Sequence, residues 1–427
     1  MGGLFVKAGV TMQTVCIRAK YLWDGTHDQV IENGAVILQN GRIMATGPAE
    51  SLELPERCEI TDFGDASIIP GLIDAHTHPV CYPAGLEAHE FIHEQSGHVL
   101  YEITKDNILR HLRSGVTTLF DNGGYRDITL RVRDEVKNQM YPGADIWASK
   151  VILRPACPNV RSKGGDVDAS DPEKVASFVR NMAEQDKVDW FKLYITRGGL
   201  SRHLPQYFGW GPVFSDEAMT ALVREAHAFG RKVGAHAVTA AGVESMIRNK
   251  GDLIIHCQFW GENGLHRIPD LEKRIADSGI WVNPTLFTSI NPYYVNEARK
   301  QYMPLTPVQE AESKDCWETY RITQEIIRSL RDLGVPMIAG SDAGFCYVNF
   351  GEFRCELYEY EKLGLPILEI LKLATVNPAA FMGKTGQLGC LAAGADADIA
   401  VFRGNLFRDL HKLDEPAAVY KKGIRYL

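Results

Sequence analysis

The chain has no apolar run approaching the ~20 residues that a membrane-spanning helix needs, so no membrane partner is expected. It has no surplus of positive charge. Its 46 Lys and Arg stand against 54 Asp and Glu, a formal net charge of −8, and the basic face of a general nucleic-acid binder is not expected either. It has no Cys-x-x-Cys pair. Nine cysteines are scattered without rhythm along 427 residues, which suits free thiols in a reducing cytoplasm better than a disulfide framework. Residues 1–11 show no long apolar stretch and no cleavage signal. A secretory leader is therefore not expected, and Met12 is a candidate second start. There are no repeats and no low-complexity tract. Composition is otherwise ordinary, 45% apolar and 23% charged, and the length suits a large barrel with a smaller domain.

What is present is a pair of histidines at the end of an apolar run, Ile69-Pro70-Gly71-Leu72-Ile73-Asp74-Ala75-His76-Thr77-His78-Pro79. At i and i+2 on a β-strand, two side chains share a face and reach one point. Neutral imidazole is the commonest protein metal ligand, so the pair is half of a metal site. Two polar residues at a strand end are an equally ordinary explanation, and the rest of the chain has to decide.

From about Thr14 to Asp65 the chain is β-rich. Asn40-Gly41 between apolar runs predicts a hairpin. From about Ser67 short β-branched runs alternate with helix-like segments, the pattern of βα units around a parallel sheet. Eight strands are expected near 69–76, 116–121, 145–152, 189–194, 232–236, 253–257, 280–285 and 336–341. Helices are expected between them, among them Ser215 to Phe229, capped by Ser215, and Ala240 to Asn249. The economical fold is α/β, a (β/α)8 TIM barrel over residues 69–386. Residues 1–68 and 387–427 are strand-like, and pairing them gives a small β-sandwich built from both chain termini.

Active sites of such barrels lie at the C-terminal strand ends. His76 and His78 end the first expected strand, Lys192 lies in the fourth, and His236 and His256 end the fifth and sixth. Asp342 follows the eighth. Any one of these is ordinarily a hydrogen-bonded structural residue; six together at suitable positions point to one site. Cys257, beside His256, reads as a buried small hydrophobe.

The chain resembles the metal-dependent amidohydrolase superfamily, and most of all its prolidase-like and aromatic-amide-cleaving branch. The resemblance runs through Pro70 to His78, Gly115-Val116-Thr117-Thr118, His236, His256 and Gly340-Ser341-Asp342-Ala343-Gly344. It continues in Ala374-Thr375-Val376-Asn377-Pro378-Ala379-Ala380 and Gly394-Ala395-Asp396-Ala397-Asp398-Ile399. Lys192 followed by Gly198-Gly199 carries the likeness to that branch. A lysine turned into the barrel would be a costly buried charge. The resemblance implies that it is carboxylated by carbon dioxide and bridges two divalent metal ions. One ion would sit on His76, His78 and Asp342, and the other on His236 and His256. Nitrogen, oxygen and carboxylate donors suit Zn2+, with Mn2+ or Co2+ not excluded. The implied reaction is hydrolysis of a C–N bond, in an amide, carbamate or urea, by a metal-bridging hydroxide. Asp342 would act as general base and then acid.

Many relatives carry a second histidine two residues after the fifth-strand His and a Glu before the sixth-strand His. Here those positions are Val238 and Ile255, which disfavours deamination of a heterocycle. A dipeptidase or carboxypeptidase-type amidohydrolase is the nearest alternative, and a non-catalytic scaffold is the alternative of another class. Aromatic residues crowd the strand-end loops, including Tyr82, Phe91, Tyr207, Phe208, Trp210, Trp260, Phe287, Tyr293, Tyr294 and Tyr347. They suggest a small substrate with an aromatic or bulky apolar group. Tyr194, Arg197, Tyr207, Trp210, Trp260 and Tyr347 are the candidate substrate contacts. Arg154, Arg161 and Arg202 are rivals to Arg197 as a carboxylate anchor, and His89, His93 and His98 lie in the first loop. A homo-oligomer is expected from the resemblance alone.

Overall fold

The computed structural model describes residues 14–83, 92–155, 164–196 and 209–427. Its first strands are β1 (Val15–Leu22), β2 (Ile31–Gln39), β3 (Arg42–Pro48), β4 (Glu59–Asp62) and β5 (Ala66–Pro70). Asn40 and Gly41 form the predicted turn between β2 and β3, both with positive φ, 53° and 74°. That turn twists in the same sense as the strands it joins.

The chain then alternates. Its strands are β6 (Leu72–Thr77), β7 (Val116–Asp121), β8 (Asp145–Ala148), β9 (Ile152–Pro155), β10 (Asp166–Val167), β11 (Phe191–Tyr194), β12 (Val233–His236), β13 (Leu253–Ile255), β14 (Trp260–Gly261), β15 (Gly264–Leu265) and β16 (Trp281–Asn283). Between or after them run α1 (Gly97–Arg113), α2 (Ile128–Lys137), α3 (Pro172–Asn181), α4 (Asp216–Ala228), α5 (Ala240–Arg248), α6 (Pro269–Ser278), α7 (Leu286–Arg299), α8 (Pro307–Asp332) and α9 (Arg354–Lys362). The expected caps are in place. Ser215 Oγ accepts from the Ala218 amide at 3.1 Å, and Thr239 Oγ1 accepts from Gly242 at 3.1 Å.

The strands of this region form two parallel sheets, β6-β7-β8 and β10-β9-β11-β12-β13-β16, beside a small β14-β15 hairpin. The strand expected over 145–152 is broken in two, because Lys150 turns into the left-handed region at φ 69°. The segment expected as a strand over 336–341 makes one parallel bridge, Val282 to Met337, and a second, Thr77 to Ala343, falls just beyond it. It is squeezed between its neighbours: a Cβ at Gly340 would lie 2.5 Å from Asn283 Nδ2 and 2.6 Å from His76 Cβ. The first expected strand, 69–76, is two strands. Ile69 and Pro70 belong to β5 and the parallel ladder begins only at Leu72, so the seam falls at Gly71.

Alternation along the strands separates two layers. Leu119, Ala148, Phe191, Leu193, Val233, Ala235 and Ile254 join the large core under the helices. Phe120, Trp190, Leu253, Ile255 and Ile338 join a second core on the other face of the strands. There the Phe120 ring stacks on Trp147 at 5.0 Å and meets Trp190 at 5.8 Å. Gly234 has no side chain because one would strike the Trp190 ring at 2.7 Å.

Both chain ends meet in one eight-stranded sheet. With β17 (Ile399–Arg403), β18 (Pro416–Lys421) and β19 (Ile424–Arg425), its order is β19-β18-β17-β5-β1-β2-β3, and β4 pairs with β1. It is fastened to the parallel strands by a buried ion cluster. Lys421 Nζ lies 2.6 Å from Asp398 and 2.7 Å from Asp145, the first residue of β8. Among the described residues no helix is long and apolar enough to cross a membrane. Removing one partner of a buried ion cluster strands the remaining charges, so Lys421→Ala should cost about 3–5 kcal/mol. A urea midpoint that does not move would contradict this role.

Candidate active site

The ends of β6, β11, β12 and β13 and the segment after Gly340 bring the predicted residues together. His76 Nε2 and His78 Nε2 face each other at 3.3 Å. Asp342 Oδ1 lies 3.3 Å from the first and 3.2 Å from the second. Lys192 Nζ lies 3.4 Å from His76 Nε2. The His256 ring is 5.4 Å from His76 and 4.7 Å from His236, centroid to centroid. One ligand atom each of His76, His256 and Asp342 lies within 4.8 Å of the others.

The backbone that presents these groups is bent. His256, Thr285 and Asp342 have positive φ, 69°, 48° and 61°, outside the usual range for residues with a Cβ. Strand β13 therefore ends at Ile255, two residues before the expected end at Cys257. Cys257 is fully buried in the core under the helices, as expected, and burial raises its thiol pKa.

Hydrogen bonds hold the Nδ1 atoms of His78 and His256 and turn their Nε2 atoms to the site. His78 Nδ1 meets the Gly123 carbonyl at 3.1 Å. A carbonyl only accepts, so Nδ1 carries the proton and Nε2 offers a lone pair. His256 Nδ1 meets Thr285 Oγ1 at 2.6 Å, and that hydroxyl donates to Pro284 O at 2.8 Å. Thr285 thus accepts from Nδ1–H and leaves His256 Nε2 free. His76 Nδ1 is buried with no partner. Burial first, then the positive charge of Lys192 and the neighbouring rings, holds His76 well below the usual histidine pKa. Burial, then His236 and Lys192, does the same for His256.

His76 Nε2, His78 Nε2 and Asp342 Oδ1 converge at 3.2–3.3 Å from one another. Two ligands each about 2.1 Å from a tetrahedral ion stand roughly 3.4 Å apart. The donor spacing and the lowered basicity of His76 and His256 fit a divalent ion. Lys192 is 1% exposed. Desolvation pushes its amine down to about 7, against the opposing pull of Asp342 and Asp121, so near neutral pH much of it is the nucleophilic free amine.

Four supporting residues carried no expectation from the sequence. Asp74, fully buried, accepts from the Ser341 amide (2.9 Å), Ser341 Oγ (2.5 Å), the His76 amide (3.1 Å) and His111 Nε2 (3.0 Å). His111 on α1 accepts in turn from the Gly351 amide at 2.8 Å. This network ties β6 to the segment carrying Asp342. Thr285 stands where α7 needs a cap, but its hydroxyl serves His256. Glu356 on α9 caps the helix instead, accepting from Leu286 and Phe287 at 3.0 and 2.7 Å, and burial pushes its carboxyl up to about 8. The one signal in the sequence was an aspartate inside an otherwise apolar run, at Asp74.

The candidate substrate contacts are distributed less tightly. Tyr194 stands at the site, its ring edge-on to His236 at 4.8 Å, and burial raises its phenol pKa. Trp260 sits over β12, its amide bonded to Val238 O at 3.1 Å. Tyr347 is half-buried, with Arg299 5.4 Å from its ring. Trp210 is half-buried. Tyr293 meets Trp317 of α8 at 5.2 Å, and Phe287 and Tyr294 stack at 6.4 Å. These three serve helix packing. Arg154 pairs with Asp166 at 2.9 Å. His93 meets the Tyr125 ring, and His98 is exposed on α1. Arg197, Tyr207, Arg161, Arg202, Phe208, Phe91, His89 and the Gly198-Gly199 pair lie outside the described residues.

The family model described as "Amidohydrolase family" matches residues 67–424. The chain belongs to the amidohydrolase family. It is therefore a hydrolase acting on carbon–nitrogen bonds of small molecules, in a family that generally uses metal ions. An imidazolonepropionase of Geobacillus thermodenitrificans is 24% identical over 413 residues, covering 88% of this chain and 84% of that one. A Xaa-Pro dipeptidase with bound methionine superposes with a TM-score of 0.81 at 21% identity, over 97% of this chain and 100% of the other. Phenylurea hydrolase B superposes at 0.79 with 19% identity, over 97% and 96%.

One consequence is measurable without substrate. Unfolded, Lys192 keeps its proton up to about pH 10.4; folded, it releases it near 7. Between those values the unfolded state holds the extra proton, so raising the pH stabilises the fold. The metal-free protein should lose that share of its pH 7 to 10 rise in melting temperature in Lys192→Met. Parallel melting curves for the two proteins would show that the amine is not depressed.

Proposed function

We propose that this hydrolase cleaves an amide, carbamate or urea bond of a small substrate at a binuclear metal centre. In this reading His76, His78 and Asp342 hold one divalent ion, and His236 and His256 hold a second. Lys192, carboxylated on Nζ, joins the two. Zinc is the preferred metal on the chemistry of the donors, with manganese or cobalt able to replace it. The observation that carries the reading is the triangle of possible ligand atoms at 3.2–3.3 Å made by His76 Nε2, His78 Nε2 and Asp342 Oδ1. When bound, the ions would polarise the scissile carbonyl and lower the pKa of attacking water.

The chain's own residues have separate tasks. Asp342 takes the proton of the attacking water on its carboxylate and returns it to the leaving nitrogen, general base and then general acid. Thr285 and the Gly123 carbonyl keep His256 and His78 in the ligating tautomer. Asp74 holds Ser341, and through it Asp342, against β6. Tyr194 stays a neutral phenol and donates to the substrate. Trp210, Trp260 and Tyr347, with Arg197 and Tyr207, form the walls and a carboxylate anchor for an aromatic or bulky apolar group.

A second reading within the same chemistry is a dipeptidase, favoured by the likeness to the Xaa-Pro dipeptidase. Deamination of a heterocycle is disfavoured because the position before His256 is Ile255, which is fully buried in the second core. The parallel strands are read as a closed (β/α)8 barrel and the terminal sheet as a small β-sandwich, with the seam at Gly71 and near residue 386. The bonds from Asp342 N to His76 O and from His78 N to Ala343 O support closure, as those from Ala397 N to Gly41 O and Ile43 N to Ala395 O support the sandwich. The enzyme is expected to work in the cytoplasm as a homo-oligomer.

Two tests follow. Purified protein should hold two tightly bound divalent ions per chain by elemental analysis; fewer than one would remove the binuclear reading. Thr285→Val should weaken metal binding about 10–100-fold while leaving the ligands intact. Turnover should then be screened on aryl amides, carbamates, ureas, Xaa-Pro dipeptides and imidazolones. Hydrolysis of the dipeptides alone would favour the second reading. Undiminished turnover by His78→Ala would overturn the assignment.

A further inference from the structure

Burying a polar atom without a partner costs on the order of 1–3 kcal/mol, so each such atom in the interior asks for an explanation. Asn122 is 0% exposed, and neither its Nδ2 nor its Oδ1 has a partner. Ser149 is also 0% exposed, with an unpartnered Oγ. They follow adjacent strands, β7 and β8, whose register pairs Asp121 with Ala148.

Alternation decides where the two side chains point. Phe120 and Trp147 lie in the inner aromatic stack. Asp121 turns outward to Thr129 of α2 (2.9 Å), and Ala148 joins the outer core. Asn122 and Ser149 each lie two residues beyond a member of the stack, and continuing the alternation one residue past each strand end puts them on its side, one layer above it. Lys192 holds the same place on β11. It is two residues beyond Trp190, whose Nε1 donates to Asp121 O, one residue before Asn122, and to Trp147 O, two residues before Ser149. Phe120, Trp147 and Trp190 thus form a floor, and Asn122, Ser149 and Lys192 form the next layer. Asn283 Oδ1 is also unpartnered, but it lies three strands from β11 and offers an acceptor only.

This layer holds donors and an acceptor with nothing to bind, beside a buried amine. Carboxylation of that amine supplies the complement. The Nζ lone pair forms a bond to the carbon of carbon dioxide, one C=O pair moves onto oxygen, and one proton leaves to solvent. The product, Lys–NH–COO⁻, has two acceptor oxygens and one N–H donor. We infer that Asn122 and Ser149 form the cradle of this carbamate: Asn122 Nδ2 and Ser149 Oγ donate to its oxygens, and Asn122 Oδ1 accepts from its N–H. Both are positioning residues. The inference rests on the carboxylated Lys192 of the proposed function and adds the groups that hold it.

The test reads the carbamate itself. Zinc-loaded full-length protein is equilibrated with increasing ¹³C-bicarbonate, and the carbamate carbon is followed by ¹³C NMR. The wild type should give one resonance that Lys192→Ala lacks. Ser149→Ala should need about tenfold more bicarbonate for half occupancy, the loss of one hydrogen bond to a charged group, and Asn122→Leu, which loses two, should need more still. Ser149→Thr, which keeps the hydroxyl, should stay close to wild type, and near-UV circular dichroism checks that each variant is folded. No resonance in the wild type, or one that survives in Lys192→Ala, refutes the carboxylation and the cradle with it. A Lys192-dependent resonance whose bicarbonate dependence is the same in Ser149→Ala as in wild type overturns the cradle alone.

Discussion

The site depends on one buried carboxylate. Asp74 accepts hydrogen bonds from both the amide and the hydroxyl of Ser341 and from His111, so it fastens β6 to the segment after Gly340. Those two stretches carry His76, His78 and Asp342, whose possible ligand atoms then meet at 3.2–3.3 Å. The surrounding fold holds them in place. Gly340 allows the approach because no other residue fits between Asn283 and His76. The positive φ at His256, Thr285 and Asp342 shows the same constraint in the backbone. Strain of this kind gathers where geometry is set by chemistry rather than by local preference.

Much of this was legible before the structure. His76 and His78 stood at a strand end, and Lys192 shared a parity with Trp190 and Tyr194. Both readings depend only on the two-residue period of a strand, which local sequence determines. The hairpin at Asn40-Gly41 and the cap at Ser215 are local in the same way. What sequence pattern did not reveal was mostly long-range. Thr285 looks like an ordinary helix cap, and nothing nearby says that its hydroxyl serves His256 while Glu356, 71 residues on, caps α7. His111 looks like one more polar residue on an amphipathic helix. The last expected strand did not form a ladder, because steric pressure on Gly340 and the turn at Asp342 outweigh β-propensity there.

The aromatic crowding of the loops divides once the fold is known. Tyr293 and Trp317 hold α7 to α8, whereas Tyr194 stands against His236. Composition alone does not separate packing from recognition, since both favour large rings. The stack of Phe120, Trp147 and Trp190 shows a third use, aromatic packing on the face of the strands that Lys192 shares with Trp190.

The central claim is that six side chains form one binuclear metal site. Anomalous diffraction at the zinc edge from crystals of zinc-loaded protein tests it most directly. The account predicts two anomalous peaks, one among His76, His78 and Asp342 and the other against His236 and His256, with density continuing past Lys192 Nζ toward both. A single peak, or density ending at a bare amine with both metal sites filled, would contradict it.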